Sequence, residues 1–166
     1  MRDAEAEFAE FMAARSNQLF RSAFLLTTSR PSAEDLLQTA LAKAFASWSR
    51  VRRADDPVAY VHGILIKTFL SERRRRSSTE LPVAEPADAP TTDHDPTDRL
   101  ALMTALAQLS VTDRAVVVLR FWEDRSVAQT ARDLDLTEAA VKNRSLRALR
   151  ELRGLLDLPI PNGHLS

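Results

Sequence analysis

One segment without helical or strand periodicity divides this chain into two halves. Residues 77–96, SSTELPVAEPADAPTTDHDP, hold four of the eight prolines and no lysine, arginine or aromatic residue. Proline interrupts helices and sheets, and an acidic segment poor in apolar side chains cannot bury enough surface to fold. The segment therefore predicts a disordered acidic linker, which spans at most about 66–72 Å when fully extended. Each half must then form its own small domain.

Both halves are predicted to be helical. Glycine occurs only 3 times in 166 residues, whereas alanine, leucine, arginine and glutamate are abundant. These residues lose little conformational freedom in a helix. The predicted fold class is all-α, with two small helical domains. The chain has no cysteine, and its three histidines lie far apart in sequence, so we expect no disulfide, no metal site and no cofactor.

Three amphipathic helices are predicted in the N-terminal half. Apolar residues recur at spacings of three and four over residues 4–27. Ser32 is the predicted N-cap of a second helix that continues to Trp48. Pro57 suits the first turn of a third helix, which should run through Phe69 into an arginine run.

The C-terminal half predicts a helix-turn-helix. Two helices are expected over residues 100–121. Ser126 and Gln129 then form a capping-box pattern at the start of VAQTARDL, and Thr137 is the predicted N-cap of a longer helix over residues 138–156. Two helices joined by a turn of about three to four residues are the pattern of many DNA-binding domains.

Charge is distributed unevenly although it sums to zero, with 23 basic and 23 acidic side chains. Residues 67–76 carry a net charge of +4, residues 77–98 carry −6, and residues 138–153 carry +3. Two basic patches therefore flank an acidic spacer. The spacer has two interpretations: a solvated tether, or a mimic of the RNA backbone in a positively charged channel.

Helical phasing divides the last helix into two faces. The predicted buried face comprises Val141, Ser145, Ala148, Leu149, Leu152, Leu155 and Leu156. The predicted exposed face comprises Ala139, Lys142, Asn143, Leu146, Arg147 and Arg150. Arginine can bind guanine, asparagine can bind adenine, and leucine can contact a thymine methyl group in the major groove. The alternative is a solvated face with one stray leucine.

The N-terminal half offers further candidates for nucleic-acid contacts. Arg73, Arg74, Arg75 and Arg76 favour phosphate binding, although cations also stabilise a helix C-terminus. Three aromatic side chains could stack on unpaired bases or pack in the core, namely Trp48, Tyr60 and Phe69.

Other classes of protein are not expected. No carboxylate has a paired histidine or nucleophile, so we predict that the protein is not an enzyme. The acidic N-terminus does not resemble a secretory signal, and no apolar run reaches the about 18 residues of a membrane helix. We therefore expect no membrane insertion and a cytoplasmic location.

Together the two halves resemble the extracytoplasmic-function sigma factors of bacterial RNA polymerase, and in particular their actinobacterial SigE-like subgroup. AEDLLQTALAKAFASW looks like the family's helix that binds the polymerase core, and DDPVAYVHGILIKTFLSERRRR is similar to its promoter-melting helix. LSVTDRAVVVLRFWEDRSVAQTARDLDLTEAAVKNRSLRALRELR looks like the domain that binds the minus-thirty-five element. The family often has Asn, Pro and Gly where this chain has Lys67, Ser110 and Asp135, respectively. Because glycine adopts a left-handed backbone freely, Asp135 is expected to need that conformation in the turn.

The resemblance implies three sets of binding residues. The candidates for core polymerase binding are Asp35, Leu36, Gln38 and Phe45. The candidates for the minus-ten element are Tyr60, Lys67, Phe69, Arg73, Arg74, Arg75 and Arg76. The candidates for the minus-thirty-five element are Thr137, Lys142, Asn143, Leu146, Arg147 and Arg150.

The resemblance also implies a domain order and a function. Sigma region 2 is expected over residues 1–76, the linker over 77–96, sigma region 4 over 97–158 and a tail over 159–166. The protein would bind core RNA polymerase and direct promoter-specific transcription initiation as a monomer when free, with an anti-sigma factor as a candidate partner. The other interpretations are a one-component helix-turn-helix regulator of duplex operators and a regulatory adaptor that does not bind DNA.

Overall fold

The computed structural model describes residues 3–79 and 96–156, with side chains described over 3–76 and 98–156. Every regular element in these ranges is helical, which confirms the all-α prediction. Contacts divide the chain into two units, Met1–Glu85 and Pro86–Ser166. Residues 80–95 of the predicted linker and the predicted tail lie outside the described residues. No helix in the described ranges is long and apolar enough to cross a membrane.

The first unit contains four described helices: α1 (Ala4–Thr27), α2 (Arg30–Ala46), α3 (Trp48–Arg53) and α4 (Pro57–Thr79). The predicted bounds of α1 and the predicted start of α4 are confirmed. The predicted N-cap of α2 is wrong, because Ser29 caps this helix and its side chain accepts from the Ser32 amide. The helix can begin before Ser32 because Pro31 lies in the first turn, where its missing amide proton is not needed.

The core of the first unit lies where α1, α2 and α4 meet. Its largest fully buried side chains are Leu19, Leu26, Leu36, Val51, Val61, Leu65, Ile66 and Thr68. Next to this core the rings of Phe8 and Phe11 each contact Trp48 edge-on, with centroids 5.5 and 5.6 Å apart. Trp48 Nε1 donates to Glu7 Oε2 at 3.1 Å, so its polar group is satisfied where the ring is buried.

The second unit contains α5 (Pro96–Gln108), α6 (Val111–Val117), α7 (Val127–Leu134) and α8 (Glu138–Leu156). The predicted capping box is confirmed: Ser126 and Gln129 each bind the other's backbone amide with their side chains. The predicted N-cap of α8 is also confirmed, since Thr137 Oγ1 accepts from the Ala140 amide at 3.0 Å. Asp135 has φ 56° and ψ 48°, which confirms the predicted left-handed turn.

A π-helical turn, Val118–Trp122, follows α6. The sequence predicts one helix through Phe121, whereas here the Glu123 amide bonds to the Val118 carbonyl, five residues back, at 2.9 Å. Val118 and Leu119 remain buried, and Phe121 and Trp122 are half exposed. The wider turn therefore keeps the apolar face of α6 in the core and releases two aromatic side chains at its end.

Candidate nucleic-acid interface

Helix α8 presents a polar face on the second helix of the helix-turn-helix. The exposed side chains on this helix include Lys142, Asn143, Arg147 and Arg150, and Leu146 is half-buried beside them. Thr137 is exposed at the N-cap. The opposite face buries Val141, Ser145, Ala148 and Leu152. Most of the predicted phasing is therefore right, but Leu155, at the end of the helix, is exposed although it was predicted to be buried.

A buried carboxylate lies on the flank of this polar face. Asp113 of α6 is 3% exposed, and both of its oxygens accept hydrogen bonds from α8. Arg147 Nε donates to Oδ2 at 3.2 Å, and Arg147 Nη2 donates to Oδ1 at 2.9 Å. Arg144 Nη1 donates to Oδ1 at 2.8 Å. Two arginines one helical turn apart are thus bound to one acid on the neighbouring helix.

The charge of Asp113 is maintained despite its burial. Burial acts to raise the pKa of its carboxyl group, but the hydrogen bonds and charges of Arg147 and Arg144 outweigh this effect and hold the pKa below its ordinary value of 3.8. The same hydrogen bond raises the pKa of Arg147. The group is therefore an ion pair at neutral pH, and the carboxylate holds the two guanidinium groups in place.

The loop before α7 is fixed by a second ion pair. Arg125 Nη2 lies 2.6 Å from Asp133 Oδ2, and both side chains are mostly buried. Arg120 Nη1 donates to the Arg125 carbonyl at 2.6 Å, which ties the π-helical turn to the same loop. These contacts fix the loop before α7 against α7 and against the π-helical turn, at the start of the helix-turn-helix.

Helix α4 carries an exposed stripe in the first unit. Tyr60, Lys67 and Arg74 are exposed and follow one another at seven-residue intervals, which places them on one face over about 21 Å at 1.5 Å per residue. Arg73, Arg75 and Arg76 are exposed around the end of this stripe. An aromatic ring followed by cations along one helix face suits a strand of unpaired bases and its phosphates.

Phe69 does not belong to this stripe, which corrects its assignment as a base-stacking residue. Its side chain is only 2% exposed. It follows Tyr60 by nine residues, which is two and a half turns at 3.6 residues per turn, so it lies on the opposite face of α4. The ring packs in the core of the first unit and is not accessible to a base.

The same geometry separates the candidate residues of α2. Asp35, Gln38 and Phe45 are exposed and share one face of the helix. Leu36 is 1% exposed and precedes Phe45 by nine residues, so it points to the opposite side, into the core. Its assignment as a contact residue for a partner is therefore corrected: it supports the helix from within. Phe45 is 42% exposed and rests on the Phe8 ring at a centroid distance of 5.0 Å.

Two features of the site escaped the sequence reasoning. Asp113 stands three residues after Ser110, so that it resembles part of a helix cap, and Ser110 does cap α6 by accepting from the Asp113 amide at 3.2 Å. Its arginine partners are 31 and 34 residues away. The exposure of the aromatic pair Phe121 and Trp122 depends on the π-helical turn, which has no simple sequence signal. Among the described residues no group of acidic or histidine side chains could hold a metal ion.

Comparison with known families gives two matches that correspond to the two units. Residues 11–79 match the family described as Sigma-70 region 2, and residues 99–152 match the family described as Sigma-70, region 4. The first match contains most of α1 and all of α2 to α4, and the second contains α7, the turn and most of α8.

Individual proteins resemble the chain over most of its length. It is 36% identical to the RNA polymerase sigma-E factor of Streptomyces coelicolor over 149 residues, which are 89% of this chain and 84% of the relative. It is 32% identical to the ECF RNA polymerase sigma factor SigL of Mycobacterium tuberculosis over 142 residues, which are 81% of this chain and 80% of the relative. Its fold is similar to that of the sigma factor RpoE of Bartonella quintana, crystallised with the anti-sigma factor NepR, with a TM-score of 0.73, 24% identity and coverage of 93% and 99% of the two chains.

Proposed function

Because this chain belongs to the extracytoplasmic-function sigma factors of the SigE-like type, we propose that it divides promoter recognition between two helix faces. The exposed face of α8 reads the minus-thirty-five element as duplex. The stripe of Tyr60, Lys67 and Arg74 on α4 captures unpaired minus-ten bases and their phosphates. The match of both sigma regions to one chain does not favour a ligand-sensing regulator or a DNA-free adaptor.

The observation that carries this proposal is the polar face of α8 in the helix-turn-helix. Lys142, Asn143 and Arg150 are exposed there, while Val141 and Ala148 fix the opposite face in the core. Side chains that project from a recognition helix reach base edges in the major groove, where each base pair has a distinct pattern of donors and acceptors. The face therefore has the chemistry needed to discriminate sequences.

We further infer the partners and the mode of action. Core RNA polymerase binds the exposed face of α2 that carries Asp35, Gln38 and Phe45. An anti-sigma factor binds the chain in competition with the polymerase; the Bartonella relative was crystallised in complex with one. The protein acts by binding and leaves catalysis to the polymerase. Residues 1–76 and 97–158 are the two functional domains on either side of the linker. The free chain is a monomer that binds duplex DNA weakly, since its net charge is zero.

Initiation by reconstituted polymerase tests the duplex reading. A promoter library randomised at the minus-thirty-five element measures the preference for each base at each position. Asn143→Ala should lower the preference about tenfold at the base pair that Asn143 contacts and change the other positions little, because one bidentate base contact gives about 1–3 kcal/mol of discrimination. Asn17→Ala is the matched control, since Asn17 is exposed on α1. Equal losses for all sequences would contradict base reading by this face.

Fork-junction DNA tests the minus-ten proposal. Tyr60→Ala should weaken holoenzyme binding to a fork with unpaired minus-ten bases about fivefold to a hundredfold, since stacking of one base contributes about 1–3 kcal/mol. Binding to the fully paired promoter should change much less. Phe24→Leu, a substitution of a half-buried ring on α1, is the control for loss of an aromatic side chain. Equal weakening on paired and unpaired DNA would contradict stacking by Tyr60.

A further inference from the structure

Arg147 uses only one edge of its guanidinium group within the described part of the chain. The edge formed by Nε and Nη2 binds the two oxygens of Asp113 at 3.2 and 2.9 Å, and the side chain is still 61% exposed. A guanidinium group is planar and has five N–H donors in a rigid fork. Asp113 occupies the edge formed by Nε and Nη2. The terminal edge, formed by Nη1 and the second N–H of Nη2, faces away from the acid and can bind a second pair of acceptors.

We propose that Asp113 is a positioning residue for promoter recognition, which holds Arg147 so that its terminal edge binds the O6 and N7 atoms of a guanine in the minus-thirty-five element. This inference rests on the proposed reading of that element by α8. An unrestrained arginine has many rotamers and can reach phosphates or several bases, whereas a clamped one reaches a narrow region. The carboxylate therefore contributes to selectivity although it does not contact DNA.

The surroundings of Asp113 explain why the clamp is rigid. The carboxylate is nearly inaccessible to solvent, and Ser110 fixes the backbone by capping α6. Arg144 binds Oδ1 at 2.8 Å and is itself half-buried, so the acid cannot turn away from α8 without losing a second bond. Water competes poorly for a carboxylate in such a site, and hydrogen bonds between ionised groups are stronger than neutral ones.

Selectivity measured on a promoter library distinguishes this role from a structural one. Asp113→Asn keeps the size of the side chain but removes its charge and one acceptor oxygen. We expect it to reduce the preference for guanine at the base pair read by Arg147 about tenfold, which corresponds to about 1.4 kcal/mol, with little change at other positions. Asp98→Asn is the matched control, because it makes the same change at an exposed carboxylate of α5 in the same unit, and it should leave the guanine preference unchanged.

A double-variant cycle shows whether Asp113 acts through Arg147. If it does, Asp113→Asn should cause no further loss of selectivity in the Arg147→Ala background. Arg144→Ala removes the second bond to Asp113 but leaves the bonds between Asp113 and Arg147, so it should lower the preference less than Asp113→Asn does. Arg147→Lys keeps the charge but cannot bind an acid and a guanine with two separate edges, so it should lose the preference. This variant leaves Asp113 in place, so it can be measured even if Asp113→Asn does not fold.

Three outcomes would overturn the proposal. Asp113→Asn could lower transcription from all library members equally, which would mean that the ion pair only stabilises the domain. It could leave the guanine preference intact while Arg147→Ala abolishes it, which would mean that Arg147 needs no clamp. If Arg147→Ala itself leaves the preference unchanged, Arg147 does not read a base, and the Asn143 experiment shows independently whether α8 reads the element at all.

Discussion

Leu36 and Phe45 lie on the same helix but on opposite faces, so truncation of each side chain should separate folding from polymerase binding. Leu36 is 1% exposed. Leu36→Ala removes three buried carbon atoms, at about 0.8 kcal/mol each, and leaves a cavity that raises the cost to about 3–4 kcal/mol. This is a large fraction of the about 5–15 kcal/mol that stabilises a typical domain. The first unit should therefore become marginally stable.

Phe45→Ala should have the opposite profile. The ring is 42% exposed and its described ring contact is with Phe8. Loss of that contact and of a partly buried ring costs about 1–2 kcal/mol. The domain should stay folded, but an exposed aromatic ring is the kind of side chain that dominates interfaces, and its loss can weaken binding by 2 kcal/mol or more, or about thirtyfold.

The assay combines urea unfolding with capture of core polymerase by the full-length protein. The chain has two tryptophans, so Trp122→Phe leaves Trp48 as the only one, and its fluorescence then follows the first unit. Leu36→Ala should lower the unfolding midpoint and still capture polymerase under conditions where it is folded. Phe45→Ala should lower the midpoint less than Leu36→Ala does and should lose capture although the unit is folded. A stable Leu36→Ala variant that loses capture, or a Phe45→Ala variant that keeps it, would refute the assignment of the two faces.

Three further predictions concern the second unit. Asp135→Gly should raise the melting temperature by a few degrees, because glycine adopts φ 56° freely and the left-handed conformation costs other residues about 1–2 kcal/mol; an unchanged or lower melting temperature would show that the turn is unstrained. Ser126→Ala should destabilise the unit by about 0.5–2 kcal/mol in urea unfolding, because it removes the capping box of α7; Ser71→Ala on α4 serves as a control outside this unit. The folded-state pKa of Asp113 is lowered, so its ion pair stabilises the wild type at neutral pH and this contribution is lost as the pH falls through that pKa, below 3.8. Asp113→Asn should remove this part of the acid dependence, and an unchanged acid profile in urea unfolding would contradict it.

The helix-turn-helix could be predicted from sequence because its boundaries depend on local chemistry. Ser126 and Thr137 bind amides three residues away. The left-handed conformation of Asp135 was expected from the glycine that the family often has at this position. The first helix and the start of α4 could also be predicted, because apolar spacing marks the former and Pro57 marks the latter. Caps within a single turn and apolar spacing along a helix therefore predicted most of the described helix boundaries.

The functional residues were harder to predict because their roles depend on orientation and on distant partners. The family resemblance transferred Leu36 and Phe69 as binding residues by position in a motif, whereas a count of nine residues from Phe45 and Tyr60 places each on the buried side. Asp113 was missed since its partners are more than thirty residues away, which no local pattern records. The buried face of α8 was largely predictable because one helix determines it.

The π-helical turn after α6 also determines which changes in length this part of the chain can tolerate. A π-helical turn accommodates one more residue than an α-helical turn does, and here that residue is absorbed within Val118–Trp122 while Val118 and Leu119 stay buried. Deletion of one residue within the turn restores α-helical spacing there and leaves Val116 and the Ser126 cap on either side in place. The same deletion inside α8 rotates every following side chain by about 100° and moves Arg150 off the exposed face. Related chains should therefore differ in length at the former site and not at the latter.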